Sequence, residues 1–399
     1  MTWFAAFNGL RKHFRGGRAS PRRDPGNLHL SRDNGCSSEP ESVVCQTVSV
    51  RVLDLFCGGG GSSWGAQAAG AKIVCGVDAW DTAVSAYRKS FPKAKAVHLT
   101  MTPETGPADL GNIGKIDLLL GSPECTHHTC ARGARPRDEG SKRTAFYVTN
   151  FARDLDPRPR WVVLENVVHM RGWDGYKPLL NELKELGYKT RIYVLDSSKF
   201  GVAQTRRRVF IVGDLKAEPP ERILPRSGRS PTVKSILAKE GTHRSRPLRR
   251  EGRAPATLQR AERAIKELGK GVPFLIVYYG SDGAGGWQPL DRPLRTITTI
   301  DRFGLVTWDG NTPMLRMLQV EELMAAMGFV GEYSLDGIGQ RRDRIRLLGN
   351  GVAPPVMSAI VSAITAVPAS VITAAAAQIA TVAEDQPQAE PIPLPLAAE

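Results

Sequence analysis

The chain has 399 residues, which is longer than one ordinary domain and long enough for a large hydrophobic core. Its 54 Lys and Arg residues outnumber its 40 Asp and Glu residues, and a protein this basic is expected to bind a polyanion, most often nucleic acid. The six cysteines form no CxxC pair and the N-terminus has no apolar signal core. These features exclude a small, disulfide-stapled secreted protein and favour reduced thiols in the cytoplasm.

Alternating apolar runs and helical stretches predict the first large unit. Residues 1–47 are rich in Arg, Gly, Ser and Pro without periodicity, which predicts a disordered basic tail. From residue 48 to residue 214, short apolar runs alternate with stretches of helical spacing at Trp80–Phe91 and Tyr176–Leu186. The runs are "VSVRVLDLF", "AKIVCGVDA", "KIDLLLGSP", "RWVVLENV" and "RRVFIVGD". This alternation is typical of βαβ units and predicts an α/β fold with a parallel sheet.

The pattern changes in the second half of the chain. Residues 215–290 are Pro-rich and then very basic, which predicts a smaller separate unit. Regular patterning at 291–367 predicts a return to the first unit, and 368–399 is a low-complexity Ala/Pro-rich tail. The apolar stretch from Val356 to Val382 is mostly Ala, Ser, Thr and Val with Pro368 inside it, so we expect a final helix and no membrane span.

A glycine-rich turn follows the first predicted strand. Gly58, Gly60 and Gly61 precede a helix, where glycine lets the backbone approach a ligand closely. The second strand ends at Asp78, 17 residues after Gly61, where an acid can accept hydrogen bonds from both ribose hydroxyls. Together they predict a nucleoside-containing cofactor. The alternative is that Asp78 caps a helix that begins near Asp81.

The segment "GSPECTHHTC" concentrates reactive side chains after the strand "KIDLLLG". Cys125, His127, His128 and Cys130 are too close together for a tetrahedral zinc site, which normally draws on two separated pairs, so no metal is expected. A cytosolic redox pair would favour CxxC spacing. A nucleophile is favoured because Cys125 follows a strand at the sheet edge where α/β proteins bind ligands.

Five motifs in order resemble the DNA (cytosine-5-)-methyltransferase family: "DLFCGGGG", "GSPEC", "LENV", "QTRRRVF" and "LLGNGVAPP". A basic variable block separates the fourth from the fifth, and the resemblance extends from Arg51 to Ile360. It implies a Rossmann-like S-adenosylmethionine-dependent methyltransferase core with a small target-recognition domain inserted at 215–290. It also implies methylation of C5 of a cytosine flipped out of double-stranded DNA.

The resemblance assigns the catalytic roles. Cys125 would add to C6 of cytosine, and Glu165, protonated or sharing a proton, would hold N3. Arg206 and Arg208, with the i, i+2 spacing of one strand face, would contact the base carbonyl and orient the loop or a phosphate.

The resemblance also assigns the cofactor site. S-adenosylmethionine would be held by Phe56, which packs on adenine, and by residues that contact it from the glycine turn, the second strand and the last motif. These are Gly58, Gly60, Gly61, Asp78, Asn350 and Val352. The competing interpretation of Phe56 is a core strand residue.

Three positions depart from the family pattern. Glu124 replaces the usual Pro before the nucleophile, and an adjacent carboxylate disfavours a thiolate. Ala79 stands where an aromatic residue commonly follows the ribose-binding acid, with Trp80 one place later. Thr100 and Met101 offer no acid for the adenine amine.

The sequence leaves two alternative functions open: an RNA cytosine-5 methyltransferase with the same core, and a catalytically silent nucleic-acid-binding relative. For the favoured function, the expected partner is double-stranded DNA in the cytoplasm. A cognate restriction endonuclease is a further possible partner, while no membrane and no obligate protein partner are expected.

Overall fold

A computed structural model describes residues 49–124, 140, 143–225, 228, 230–279 and 285–366. The chain divides into Met1–Thr47 and Val48–Glu399, and only the second unit contains described residues. The predicted tails at 1–47 and 368–399 therefore lie outside the described residues.

A seven-stranded sheet forms the centre of the second unit, with strand order β3-β2-β1-β4-β5-β7-β6. Its strands are β1 (Arg51–Leu55), β2 (Lys72–Asp78), β3 (Lys95–His98), β4 (Leu118–Gly121), β5 (Trp161–Val167), β6 (Lys189–Asp196) and β7 (Arg207–Asp214). All five predicted apolar runs are strands. The strands β3 and β6 were not predicted: β3 ("KAVH") has only two consecutive apolar residues, whereas the apolar run of β6 at 192–195 was missed.

The prediction of a parallel sheet is correct for β1 to β5 and wrong for β7. The strand β7 runs antiparallel to both β5 and β6. Only residues 197–206 connect β6 to β7, with a short 3-10 turn at Ser197–Phe200. A parallel crossover needs about a dozen residues or more, so this link reverses the chain instead.

Helices cover both faces of the large sheet. They are α1 (Gly61–Ala68), α2 (Asp81–Ser90), α3 (Ala145–Asp154), α4 (Tyr176–Glu185) and, from the end of the chain, α8 (Pro354–Thr365). The helix that precedes α8, α7 (Arg341–Asn350), packs its buried residues in a third core with apolar residues between 318 and 338. Successive β4 residues alternate between two cores: Leu118 packs in the core with α8, and Leu119 packs with α3 and α4. This period of two fixes the register, because a one-residue slip would exchange the faces.

A second, antiparallel sheet has the order β10-β9-β11-β12-β8. Its strands are β8 (Arg246–Pro247), β9 (Phe274–Val277), β10 (Trp287–Pro289), β11 (Phe303–Asp309) and β12 (Thr312–Met317), with helix α5 (Pro255–Leu268) packed on it. This sheet contains strands from both sides of the predicted boundary between residues 290 and 291. The domain limits stay predictions.

A buried ion pair joins the small sheet to helix α6 (Val320–Met327). Arg316 on β12 donates two hydrogen bonds of 2.7 Å to the Glu322 carboxylate. The backbone N–H groups of Gln319 and Ala238 donate to the same carboxylate. These hydrogen bonds outweigh the effect of burial and hold the pKa of Glu322 below its ordinary value.

Among the described residues, one stretch, Arg341–Thr365, passes as a membrane span by length and composition. It contains two helices, α7 and α8, and 67% of its apolar window is buried within the protein. The helix α8 packs on α1 in the core, as expected for the final helix of the predicted unit.

Candidate active site

A cavity of about 540 Å³ lies at the carboxyl ends of β1, β2, β4 and β5. Ligands of open α/β sheets bind at this edge. Eight of the sequence-predicted site residues line the cavity: Phe56, Gly58, Gly61, Asp78, Glu165, Arg208 and, from the α7–α8 segment, Asn350 and Val352. The fold therefore brings six of the seven predicted cofactor residues, all but Gly60, and two predicted catalytic residues to one space.

The glycine turn between β1 and α1 needs its glycines for different reasons. Gly60 is the N-cap of α1 at a φ of 84°, a left-handed conformation that favours glycine. A Cβ on Gly61 would lie 2.2 Å from the Val352 carbonyl oxygen, so any larger residue would push the α7–α8 segment away. Gly58 and Gly61 line the cavity, whereas Gly60 supports the turn behind it.

Phe56 has the one positive φ, 58°, of the non-glycine residues in the described part of the chain. It follows β1, lines the cavity, and packs its half-buried ring against the core beside α3 and α4. A bulky residue in this conformation is strained, and such strain is concentrated at functional sites. Both interpretations of Phe56, cavity contact and core residue, therefore describe part of its surroundings.

Asp78 joins the glycine turn to the start of α2. One carboxylate oxygen accepts from Gly58 N–H and the other from Trp80 N–H, each at 2.9 Å. The helix α2 begins at Asp81 and its N-cap is Trp80, so Asp78 is not the N-cap itself. Burial raises the pKa of Asp78, although the two N–H groups oppose the shift. The carboxylate keeps lone pairs for further donors from the cavity.

Trp80 and Arg346 line the cavity beside Asp78. The Arg346 guanidinium carbon lies 4.4 Å from the centroid of the Trp80 ring, in cation–π geometry. The sequence interpretation missed Arg346. One signal was available, because Arg346 precedes the predicted site residue Asn350 by four places and therefore shares its face of α7.

Glu165 and Arg208 form a buried ion pair at the ends of two neighbouring strands. Their side chains meet at 3.1 Å between Arg208 Nε and Glu165 Oε1, and Glu165 is 5% exposed. Burial raises the pKa of the Glu165 carboxyl above its ordinary value, even though the charges of Arg208 and Arg206 act to lower it. This carboxyl therefore retains a proton at higher pH than an ordinary Glu.

The structure separates Arg206 from Arg208. The strand β7 begins at Arg207, so the argument that both arginines share one strand face does not hold for Arg206. Arg206 is 3% exposed and donates to the carbonyls of Ile297 and Gly349, at 3.1 and 2.7 Å. It is not among the residues that line the cavity. These bonds hold the segment that carries Asn350, which is a supporting role.

Asn166 fixes the loop after β4. Its amide nitrogen donates to the Pro123 carbonyl at 3.2 Å, and its amide oxygen accepts from Val167 N–H at 2.8 Å. Pro123 and the exposed Glu124 both line the cavity. The β5 strand end therefore holds the chain two residues before Cys125.

Cys125, His127, His128 and Cys130 lie outside the described residues. Within the described ranges, no group of three or more His, Cys, Asp or Glu side chains could hold a metal ion.

The raised pKa of Glu165 predicts how stability depends on pH. A carboxyl whose folded pKa is raised stabilises the fold below its unfolded pKa, and this contribution is lost as pH rises toward the folded pKa. We expect the free energy of unfolding of Glu165→Gln to increase relative to that of wild type as the pH rises from the unfolded pKa of Glu165 toward its folded pKa. Denaturant titrations at several pH values measure the difference, with Glu185→Gln on the exposed side of α4 as the matched control. A difference that moves the opposite way would mean that the Arg208 charge dominates over burial.

The sequence relatives include type II methyltransferases. The type II methyltransferase M.HgiDI of Herpetosiphon aurantiacus is 34% identical over 166 residues, which are 41% of this chain and 52% of the relative. M.AgeI of Thalassovita gelatinovora is 31% identical over 182 residues, 43% of this chain and 42% of the relative. The chain thus spans about half the length of these curated relatives.

Solved structures share the fold at low sequence identity. A DNMT2 of Spodoptera frugiperda superposes with a TM-score of 0.59 at 18% identity, covering 80% of this chain and 100% of the other. The methyltransferase EhMeth of Entamoeba histolytica gives 0.58 at 16% identity, covering 79% and 98%. These likenesses confirm the Rossmann-like α/β fold class.

The family model of the C-5 cytosine-specific DNA methylases matches residues 50–366. This range includes every strand of both sheets and every residue that lines the cavity described above. The chain belongs to the C-5 cytosine-specific DNA methylase family.

Proposed function

We propose that this protein methylates C5 of cytosine in double-stranded DNA with S-adenosylmethionine, through a covalent bond between Cys125 and C6. The observation that carries the proposal is the buried Glu165–Arg208 pair, which faces the same cavity as Asp78 and the glycine turn. Methyl transfer from a cofactor to a base requires that a carboxyl able to hold a proton lie in the same cavity as the residues that bind the nucleoside.

The cavity fits S-adenosylmethionine on three counts. Its volume of about 540 Å³ is within the usual range for small-molecule sites. Asp78 offers a carboxylate for ribose hydroxyls, and Phe56 and Trp80 offer rings for adenine. Gly61 lets the Val352 backbone pack against the glycine turn, so that both residues form part of the cavity wall. When bound, S-adenosylmethionine would supply an electrophilic methyl group on a positively charged sulfur.

Cys125 acts as the nucleophile in this proposal. Its thiolate adds to C6, which breaks the C5–C6 double bond and makes C5 electron-rich enough to accept a methyl group. The C5 hydrogen then leaves as a proton to a base, the double bond re-forms, and the sulfur–C6 bond breaks to release the thiolate. Asn166 supports this role because it holds Pro123, two residues before the nucleophile.

Glu165 stabilises the negative charge that develops on the ring. With its proton directed at N3, the carboxyl compensates charge that would otherwise build up when the thiolate adds. Burial raises the pKa of Glu165, which favours the protonated form more than in an ordinary Glu. Arg208 holds the carboxyl through the 3.1 Å contact and is available to the base carbonyl. Arg206 donates to the Gly349 carbonyl beside Asn350, so we do not include it among the residues proposed to contact the base.

Double-stranded DNA is the proposed substrate, and the target cytosine must leave the stack to reach the cavity. The excess of 54 basic over 40 acidic residues supports binding to phosphates. The small sheet with α5, which includes most of the basic block, is the proposed recognition unit. Because several relatives are named type II methyltransferases, we also propose a cytoplasmic role alongside a cognate endonuclease.

Transfer of a labelled methyl group tests the proposed function. With tritiated S-adenosylmethionine, we expect 5-methylcytosine in duplex DNA and little label in structured RNA, as measured on nucleosides after digestion. Glu165→Gln should lower the rate at least about a hundredfold while the protein stays folded, since an amide can donate a hydrogen bond to N3 but cannot transfer a proton to it. Preferential labelling of RNA would show that RNA is the substrate. If neither DNA nor RNA were labelled, the protein would be a catalytically silent nucleic-acid-binding relative.

A second test concerns Asp78. Asp78→Asn should weaken binding of S-adenosylhomocysteine by about tenfold or more, because it removes a charged acceptor for hydrogen bonds. The turnover at saturating cofactor should change little, since ribose contacts contribute equally before and during the reaction. Calorimetry measures the affinity, with Asp81→Asn on the exposed start of α2 as the matched control. Equal affinities for the two variants would exclude Asp78 from the cofactor site.

A further inference from the structure

The resemblance to the family assigns no role to Arg346, yet its side chain is part of the cavity wall. Arg346 lies on α7, and its side chain contacts Trp80, which follows β2 and is remote from Arg346 in sequence. It also lines a neighbouring surface groove with Thr299 and Arg342. The guanidinium thus stands between the cavity and this groove.

Two physical effects act through Arg346. A planar guanidinium over an indole is attracted by the negative face of the ring and restricts the orientations of the ring. The same cation acts on the Asp78 carboxylate and favours its ionised form. Trp80 and Asp78 are already linked, because the Trp80 N–H donates to Asp78 at 2.9 Å.

We propose that Arg346 is a positioning residue of the cofactor cavity, which holds the Trp80 ring and keeps Asp78 ready to accept hydrogen bonds from an adenine nucleoside. This inference rests on the proposed use of S-adenosylmethionine. Arg346 acts through its two neighbours and takes no part in the bond changes at the cytosine.

Several other groups also act on Asp78 and must be separated from Arg346. Glu124, from the loop after β4, disfavours the ionised carboxylate. Asp54 on β1 and Cys57 in the glycine turn also interact electrostatically with Asp78, and burial raises the pKa of Asp54 to about 7. These groups are the same in every variant of Arg346, so a comparison between variants isolates the effect of the guanidinium.

Arg342 provides a matched control. It lies one helical turn before Arg346 on the same face of α7, and its side chain is 81% exposed. It lines the groove and is not among the residues that line the cavity. If the two arginines served only as phosphate contacts for DNA, their substitutions would have similar effects, confined to DNA binding.

The test measures binding of S-adenosylhomocysteine to the full chain without DNA, by calorimetry, from mildly acidic to mildly alkaline pH. We expect Arg346→Ala to weaken binding about two- to fivefold, the range of a cation–π contact at an exposed site. Removal of the cation also raises the pKa of Asp78, so the loss of affinity in acid should begin at higher pH. Arg346→Lys should restore the acid limit but only part of the affinity, because an ammonium keeps the charge without the plane.

The outcomes separate this inference from the proposed function. Arg342→Ala should match wild type in affinity and pH dependence. If Arg346→Ala also matches, or if it loses affinity without a shift of the acid limit and Lys does not rescue it, the positioning role is wrong. If Arg346→Ala impairs only DNA binding, Arg346 is a phosphate contact. Failure of wild type to bind S-adenosylhomocysteine would overturn the proposed cofactor, and this inference with it.

Discussion

The buried ion pair between Glu165 and Arg208 is the constraint on which the site depends. A carboxyl at the end of a fully buried strand loses its hydration, and the penalty is reduced only by partners supplied at short range. Arg208 supplies that partner because β7 runs antiparallel to β5 and pairs Arg208 with Val167, two residues beyond Glu165. A parallel β7 would start at the opposite edge of the sheet, and no cation of "QTRRR" would reach the carboxyl.

Neighbouring residues turn this pair into an organised site. Asn166, beside Glu165, donates to the Pro123 carbonyl, two residues before Cys125. Arg206, two residues before Arg208, holds the Gly349 carbonyl beside Asn350. One strand pair therefore positions Glu165, Pro123 and the segment that packs against the glycine turn. Each contact joins parts of the chain that are distant in sequence, which makes the site a product of the whole fold.

Two of the acids that line the cavity, Glu165 and Asp78, have similar surroundings and different partners. Burial raises the pKa of both Glu165 and Asp78, and an arginine opposes the shift in each case. Asp78 also accepts two backbone N–H groups and is only half buried, which suits an acceptor for ribose hydroxyls. Glu165 is almost completely buried, which suits a group that holds a proton. These different environments are consistent with the roles proposed for the two side chains, Asp78 in binding and Glu165 in chemistry.

Local patterns predicted much of this site from the sequence. Apolar runs located five strands of the large sheet, and the end of β2 at Asp78 confirmed the position of the acid. The reversal of β7 was missed because periodicity reports burial and not strand direction. The separate positions of Arg206 and Arg208, and the contact of Arg346 with Trp80, depend on packing between remote segments, which spacing within one motif does not reveal.

Covalent trapping tests the central claim, that the cavity brings a cytosine to Cys125. A duplex with 5-fluorocytosine at the target cannot lose the C5 substituent as a proton, so the reaction should stop at the sulfur–C6 bond. With S-adenosylmethionine present, the wild-type protein and Cys130→Ser should give a protein–DNA adduct that survives denaturing electrophoresis, and peptide mass spectrometry should locate it at Cys125. Cys125→Ser should give none, because a hydroxyl is a far weaker nucleophile at neutral pH. An adduct that persists in Cys125→Ser, or that disappears only in Cys130→Ser, would show that Cys125 is not the nucleophile.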